Sequence, residues 1–303
     1  MDRRSFLRGV AVAGAAGAAT SALPAAAREK RIAPADAVGM LYDSTRCIGC
    51  RACVTKCREA NGLGASRTGD GLYDAPADLD ASTKNVIRLA DLGGRTAFVK
   101  AQCMHCVDPA CTSVCMIGAL RKNAATGIVE YDKDGCVGCR YCEVACAFNV
   151  PKYTWDRAFN SQIVKCELCR HRSDDKRGGV WAVANPACCE ACPREAVVYG
   201  RRADLLAEAR RRLAASPDRY EPKVYGEEDA GGTQVLYLSA KGVSFQRLGL
   251  PDVGPDAVPQ LSETIQHGIY YGMIAPVVLF GAALVAVRKR RAQDDARSGG
   301  EEG

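Results

Sequence analysis

Hydrophobic and polar positions fall into three regimes along this chain. Residues 1–27 pass from a charged start, Asp2-Arg3-Arg4, through an apolar stretch to small residues ending Ala25-Ala26-Ala27. That order predicts an export signal, which is set apart from the fold. Near the other end, Ile265 to Val287 is 23 residues without a formal charge, followed at once by Arg288-Lys289-Arg290-Arg291. The run is long enough for a transmembrane helix, and the basic cluster predicts a cytoplasmic C-terminus. Tyr270-Tyr271 fall at the expected outer interface, and Pro276 is expected to kink the helix.

Between these ends the apolar runs are short. Asn85–Leu92 and Thr96–Gln102 flank Gly93-Gly94 and predict a hairpin. Gly127–Tyr131, Ala196–Gly200 and Thr233–Ser239 predict further short strands. Asp204–Ala215 has helical spacing with a cap at or next to Asp204. Its Arg210-Arg211-Arg212 run reads as a solvated face near the helix C-terminus. Gly62–Lys84 and 170–187 are polar and predict exposed loops. Pro251, Pro255 and Pro259 mark 247–263 as extended. The expected organisation is a signal at 1–27, a compact domain at 28–215, an extended segment and linker at 216–264 with a strand near 233–239, a membrane helix at 265–287 and a tail at 288–303.

Composition adds one large fact. The chain has 17 cysteines but only 6% aromatic residues, few for a conventional core of this size. Such a chain is expected to fold around its cofactors. The net charge of +6 is mild, and no basic stripe interleaved with aromatics suggests nucleic acid. No Ser–His–Asp set, paired acids, phosphate loop or dinucleotide glycine motif is apparent, so no catalytic residues are predicted.

The cysteines are patterned. Cys136, Cys139, Cys142 and Cys146 lie in YDKDGCVGCRYCEVAC, spaced C-x2-C-x2-C-x3-C. Three thiolates in such a loop wrap one corner of a 4Fe–4S cubane, and the fourth serves a neighbouring cluster. Cys47, Cys50, Cys53 and Cys57 repeat the pattern in YDSTRCIGCRACVTKC, again with Tyr-Asp five residues ahead of the first cysteine. A second kind of box holds Cys103, Cys106, Cys111 and Cys115. Its repeat holds Cys166, Cys169, Cys188 and Cys192. Pro-Ala precedes both Cys111 and Cys188, which favours Cys188 over Cys189 as ligand. Sixteen ligands for four clusters leave Cys189 over, as a small hydrophobe.

Disulfides and zinc are the competing uses of cysteine. An odd count and tight bunching argue against complete disulfide pairing. Zinc sites pair separated C-x2-C knuckles, whereas here a third cysteine follows in the same loop. Arg51, Arg140, Lys100 and Lys165 flank the boxes; each either offsets cluster charge or is ordinary surface charge. His105 and His171 are expected to hydrogen bond or lie exposed. His267 reads as an interfacial residue, with approach to a partner's haem or quinone site as the rival reading.

The boxes resemble the four-cluster ferredoxin subunits of respiratory oxidoreductases such as formate dehydrogenase and dimethyl sulfoxide reductase. The chain resembles more closely the iron–sulfur subunits of periplasm-facing, membrane-bound nickel–iron uptake hydrogenases of enteric bacteria, the hydrogenase-2 type. The stretches that carry this are GMLYDSTRCIGCRACVTKC (39–57), QCMHCVDPAC (102–111), YDKDGCVGCRYC (131–142), NVPKY (149–153), KCELC (165–169), YGEEDAGGTQVLYL (225–238) and SETIQHGIYYGM (262–273). The resemblance covers nearly the whole chain, and the 225–273 region points to the hydrogenase branch.

The resemblance implies an α+β fold of two ferredoxin-like double-cluster modules plus one C-terminal transmembrane helix. It implies Cys47, Cys50, Cys53 and Cys192 on one cluster, with Cys57, Cys166, Cys169 and Cys188 on its pair mate. It implies Cys103, Cys106, Cys111 and Cys146 on a third, and Cys115, Cys136, Cys139 and Cys142 on the fourth. Some relatives carry tryptophan for one cysteine of the third box and a three-iron cluster; here all four cysteines are present, so four 4Fe–4S clusters are expected. Relatives often have proline after the last cysteine of boxes two and three, where this chain has Met116 and Ala147 and keeps only Cys192-Pro193. The implied partners are hydrogenase small and large subunits, an integral membrane quinone-reducing subunit and the bilayer. The implied location is the inner membrane with the cluster domain in the periplasm, after export by the twin-arginine route suggested by Arg3-Arg4. The rivals are the equivalent subunit of a formate dehydrogenase or other molybdenum enzyme, and a cysteine-rich envelope metal-binding protein without a redox role.

Overall fold

The computed structural model describes residues 29–64, 78–94, 96–154, 161–172 and 185–298, without the side chains of 261–271, 274–275 and 293–298. The expected signal at 1–27, the centre of the 62–84 loop and most of the 170–187 loop lie outside the described residues.

One compact unit spans Lys30–Pro259. At its centre is strand β1 (Val38–Asp43), buried along its whole length. It pairs antiparallel with β8 (Val197–Arg201) and parallel with β9 (Val235–Leu238). Side chains alternate between the faces of a strand. Val38, Met40 and Tyr42 therefore point into the large core that also contains cysteines of the boxes. Leu41 points the other way, onto Leu205 and Ala209 of the helix Arg202–Ala215. The sheet thus separates a helical layer from the cysteine-bearing interior. Gly39 makes the close packing feasible, because a Cβ there would lie 2.1 Å from the backbone oxygen of Gln234.

The other strands form two-stranded ribbons. The hairpin β2 (Asn85–Asp91) and β3 (Thr96–Gln102) forms where the sequence predicts it, with Gly93 and Gly94 at positive φ. Strand β4 (Leu120–Lys122) pairs with β5 (Val129–Tyr131), and β6 (Lys152–Tyr153) with β7 (Ile163–Val164). Short helices at Ala52–Ala60, Ala110–Ser113, Tyr141–Val144 and Ala187–Glu190 carry ligand-type cysteines. Mixed strands and short helices around cysteine loops make the α+β character plain.

Two expectations are revised. Residues 216–259 belong to the compact unit instead of forming an extended linker. Tyr220, Val224, Tyr225, Val243, Phe245 and Leu248 are buried, and the Tyr225 and Phe245 rings sit 5.1 Å apart. The Arg210–Arg212 run is not wholly solvated either. Arg212 Nη1 donates to Asp43 Oδ2 at 3.1 Å, and Tyr220 Oη donates to the same oxygen at 2.8 Å. Asp43 is fully buried at the end of β1, where Thr45 supplies two more hydrogen bonds to its other oxygen.

The second unit contains the C-terminal region. A helix covering Val258–Ser298 includes the expected span at 265–287. Among the described residues, however, no helix is long and apolar enough to cross a membrane.

Asp43→Ala leaves Arg212 and Tyr220 without their buried acceptor. We expect a stability loss of about 3–5 kcal/mol, read by chemical denaturation, with a smaller loss for Asp43→Asn. An unchanged denaturation midpoint for Asp43→Ala would contradict this role.

Candidate metal centres

The repeated C-x-G-C-R-x-C loops have a backbone reason. Gly49 and Gly138 both have positive φ (71° and 73°), and so do Arg51 and Arg140 (59° and 68°). Left-handed residues curl each loop so that successive cysteines turn toward one centre before the following helix begins. Gly49 packs so tightly that a Cβ would lie 2.3 Å from the Phe98 ring.

The loops gather cysteines into four sets, each drawn from two distant boxes. Set A is Cys47, Cys50, Cys53 and Cys192, which line a small cavity together with Tyr42, Ile87 and Lys100. Set D is Cys115, Cys136, Cys139 and Cys142, which line a second small cavity with Tyr131 and Tyr153. In set B, Cys57 lies within electrostatic reach of Cys188 and Cys169, and Cys166 within reach of Cys57 and Cys188. In set C, Cys106 neighbours Cys146, Cys103 and Cys111 in the same sense. Cys189 falls beside set B, next to Cys188 and Tyr199.

The sets adjoin one another in order. Cys53 of set A interacts with Cys188 of set B. Tyr237 interacts with both Cys166 of set B and Cys103 of set C. Cys111 of set C interacts with Cys142 of set D. Of the sixteen, only Cys50 and Cys139 are exposed, and they belong to the two terminal sets.

Burial dominates the thiol chemistry. It pushes Cys53 and Cys111 up to about 12 and Cys57 up to about 11, with neighbouring sulfurs adding to the rise. Such thiols stay protonated at neutral pH unless a metal takes the proton's place. Cys188 is shifted the other way, by a hydrogen bond from Cys189 and then by the Lys100 charge.

Hydrogen bonds reach several sulfurs. Leu120 N–H donates to Cys115 Sγ at 3.4 Å, and Ala196 N–H to Cys192 Sγ at 3.2 Å. Leu168 N–H donates to Cys166 Sγ at 3.4 Å, and Tyr153 Oη lies 3.1 Å from Cys142 Sγ. The duplicated Tyr-Asp acquires a role: each tyrosine stands beside the first cysteine of its box, Tyr42 by Cys47 and Tyr131 by Cys136, and the Tyr42 hydroxyl donates to the Phe98 carbonyl at 2.9 Å. The repeat was visible in the sequence, but its purpose required the loop geometry. His105 is fully buried and accepts from Val129 N–H through Nδ1 at 3.0 Å. Burial, then the charges of Lys165 and Lys122, hold its pKa well below the usual range. His171 is exposed and pairs with the Ala60 carbonyl at 2.9 Å. The side chain of His267 lies outside the described residues.

Charge placement was only partly foreseen. Lys100 and Lys165 are buried, whereas Arg51 and Arg140 are half-buried. Lys122 gave no sequence signal, yet its Nζ donates to the Cys106 carbonyl at 2.7 Å and to the His105 carbonyl at 3.3 Å.

The donor set fits a cubane better than a single ion. Four sulfurs on one zinc would lie about 3.8 Å apart, given Zn–S bonds of about 2.3 Å. Among the described residues, no three Cys, His, Asp or Glu side chains converge on a single-ion position. In sets A and D the sulfurs instead border a cavity, as ligands of four separate irons must.

Comparison with known proteins agrees. A family profile described as a 4Fe-4S dicluster domain matches residues 95–202, which hold three of the four boxes. The hydrogenase-2 operon protein HybA of Escherichia coli O157:H7 is 40% identical over 337 aligned positions, covering 100% of this chain and 99% of its own length. The iron-sulfur subunit of the nitrate-inducible formate dehydrogenase of Escherichia coli K12 is 35% identical over 209 positions, covering 66% of this chain and 67% of its own. The formate dehydrogenase iron-sulfur subunit of Haemophilus influenzae is 33% identical over 66% of this chain and 64% of its own.

Tyr153→Phe removes the phenol from Cys142. Hydrogen bonds to sulfur raise cluster potentials, so we expect one of the four midpoint potentials to fall while iron content stays unchanged, as read by potentiometric titration. Cys188→Ala should cost one cluster and Cys189→Ala none; the reverse outcome would exchange their roles.

Proposed function

The chain belongs to the family of the hydrogenase-2 operon protein HybA, and on that premise we propose that it carries electrons between a nickel–iron hydrogenase and a quinone-reducing membrane partner. It is a non-catalytic iron–sulfur subunit of an oxidoreductase complex. When bound, a 4Fe–4S cluster supplies one-electron transfer without bond making at a substrate.

The observation that carries the reading is the ordered series of sets A to D, with an exposed cysteine only at each end. We assign Cys47, Cys50, Cys53 and Cys192 as ligands of set A, and Cys57, Cys166, Cys169 and Cys188 as those of set B. Cys103, Cys106, Cys111 and Cys146 serve set C, and Cys115, Cys136, Cys139 and Cys142 serve set D. The protein's own work is to hold these thiols in place, keep water from the inner sets and present the outer two to partners. Buried Met40, Met104, Leu168 and Leu248 supply the dry surroundings.

We further propose that the C-terminal helix anchors the chain in the inner membrane, with the cluster domain in the periplasm after twin-arginine export. Val277, Val278, Leu279, Phe280, Leu284, Val285 and Val287 are all exposed on that helix. A helix apolar on all sides needs a core or a bilayer around it, and Arg288–Arg291 immediately follow on the side that stays in the cytoplasm. The partners are then the hydrogenase small subunit, through it the large subunit, and an integral quinone-reducing subunit.

A second reading has its own support, because a formate dehydrogenase iron-sulfur subunit is 35% identical over 66% of the chain. The two readings separate on purification of the intact complex from membranes. We expect nickel to co-purify and hydrogen to drive quinone reduction, with that activity lost when this chain is deleted. Molybdenum with formate-driven reduction would move the assignment to the other branch. Release of the chain to the soluble fraction on deletion of residues 261–303 is expected from the anchor; full retention would refute it.

A further inference from the structure

Lys100 stands in β3 opposite Ile87, three residues before Cys103. Its side chain has no exposure. Lys is among the residues least often fully buried, and when buried it normally has a counter-charge. The partner Lys100 does have is neutral: its Nζ donates to Gln102 Oε1. The Tyr237 hydroxyl donates to its carbonyl at 2.7 Å and fixes the strand. Around the ammonium are sulfurs of two sets. Lys100 lines the set A cavity, and Cys188, Cys53, Cys166 and Cys57 are its leading electrostatic neighbours.

The other lysines close to the boxes, buried Lys165 and half-buried Lys122, differ. Lys165 donates to the Val129 and Cys166 carbonyls, and Lys122 to the His105 and Cys106 carbonyls and to Gln234. Each donates to main-chain oxygens, which Lys100 does not; Lys122 also neighbours Cys106, Cys103 and Cys111 of set C alone, whereas the sulfurs around Lys100 belong to two sets.

We infer that Lys100 is a shared counter-charge between sets A and B, a positioning residue that holds two clusters at higher potential from a single buried site. A fixed positive charge in a dry site favours whichever redox state carries the additional electron. Because the ammonium neighbours sulfurs of both sets, one side chain acts on both. The inference rests on the ligand assignment proposed above.

The test is Lys100→Met in the full holoprotein complex, with all four midpoint potentials followed by low-temperature EPR during redox titration. We expect two of the four to fall, each by at least about tenfold in its reduction equilibrium, or about 59 mV for a one-electron couple. The other two should stay in place, and Lys100→Arg should restore the first two. Unchanged potentials with four intact clusters would overturn the inference, as would an equal shift in all four. If Lys100→Met fails to assemble, Gln102→Glu, which places a carboxylate on the same ammonium, must reproduce the paired downward shift; its absence would also overturn the inference. A cluster count below four in the unmodified protein would instead overturn the ligand assignment, so the two failures are distinguishable.

Discussion

The structure depends on forcing many ionisable sulfurs into a dry interior. Thiols such as Cys53, Cys57 and Cys111 are driven far up by burial, and they become thiolates only when iron replaces their protons. The cofactor is therefore part of the core. This is why a chain of 303 residues manages with 6% aromatics, and why the few tyrosines concentrate around the cysteines. Tyr42 and Tyr237 pack with ring centroids 5.5 Å apart and planes tilted by 57°, between β1 and β9 beside the set A loop.

The arrangement couples distant parts of the chain. Boxes one and four share sets A and B, while boxes two and three share sets C and D. Loss of one cluster would therefore loosen two segments at once. Strand β1 leads directly into the first box, and β8 follows directly from the fourth, so their pairing aligns the two halves of sets A and B. The parallel addition of β9 brings Tyr237 against sulfurs of sets B and C. The segment from 216 to 259 thus closes the module from outside the cysteine boxes.

Much of this was legible in the residues. The box spacing, the duplicated C-x-G-C-R-x-C and the glycine hairpin at Gly93-Gly94 follow from local rules of backbone conformation. The helix begins at Arg202, two residues before the expected Asp204, because Arg201 is extended and the turn begins behind it. The packing of 216–259 was not legible. Its positive-φ glycines, Gly226, Gly231 and Gly232, look like loop residues, yet they form a tight turn over which Arg202 donates to the Thr233 and Glu227 carbonyls. The burial of Lys100 was also hidden. A lysine's burial is decided by what surrounds it in space, and here that is sulfur contributed by other boxes.

The most direct measurement of the central claim is Mössbauer spectroscopy of the iron-57-labelled holoprotein, together with iron and acid-labile sulfide per chain. Four 4Fe–4S clusters, with iron and sulfide in equal amounts, are the expected result. A colourless protein holding zinc, or iron without sulfide, would contradict the account.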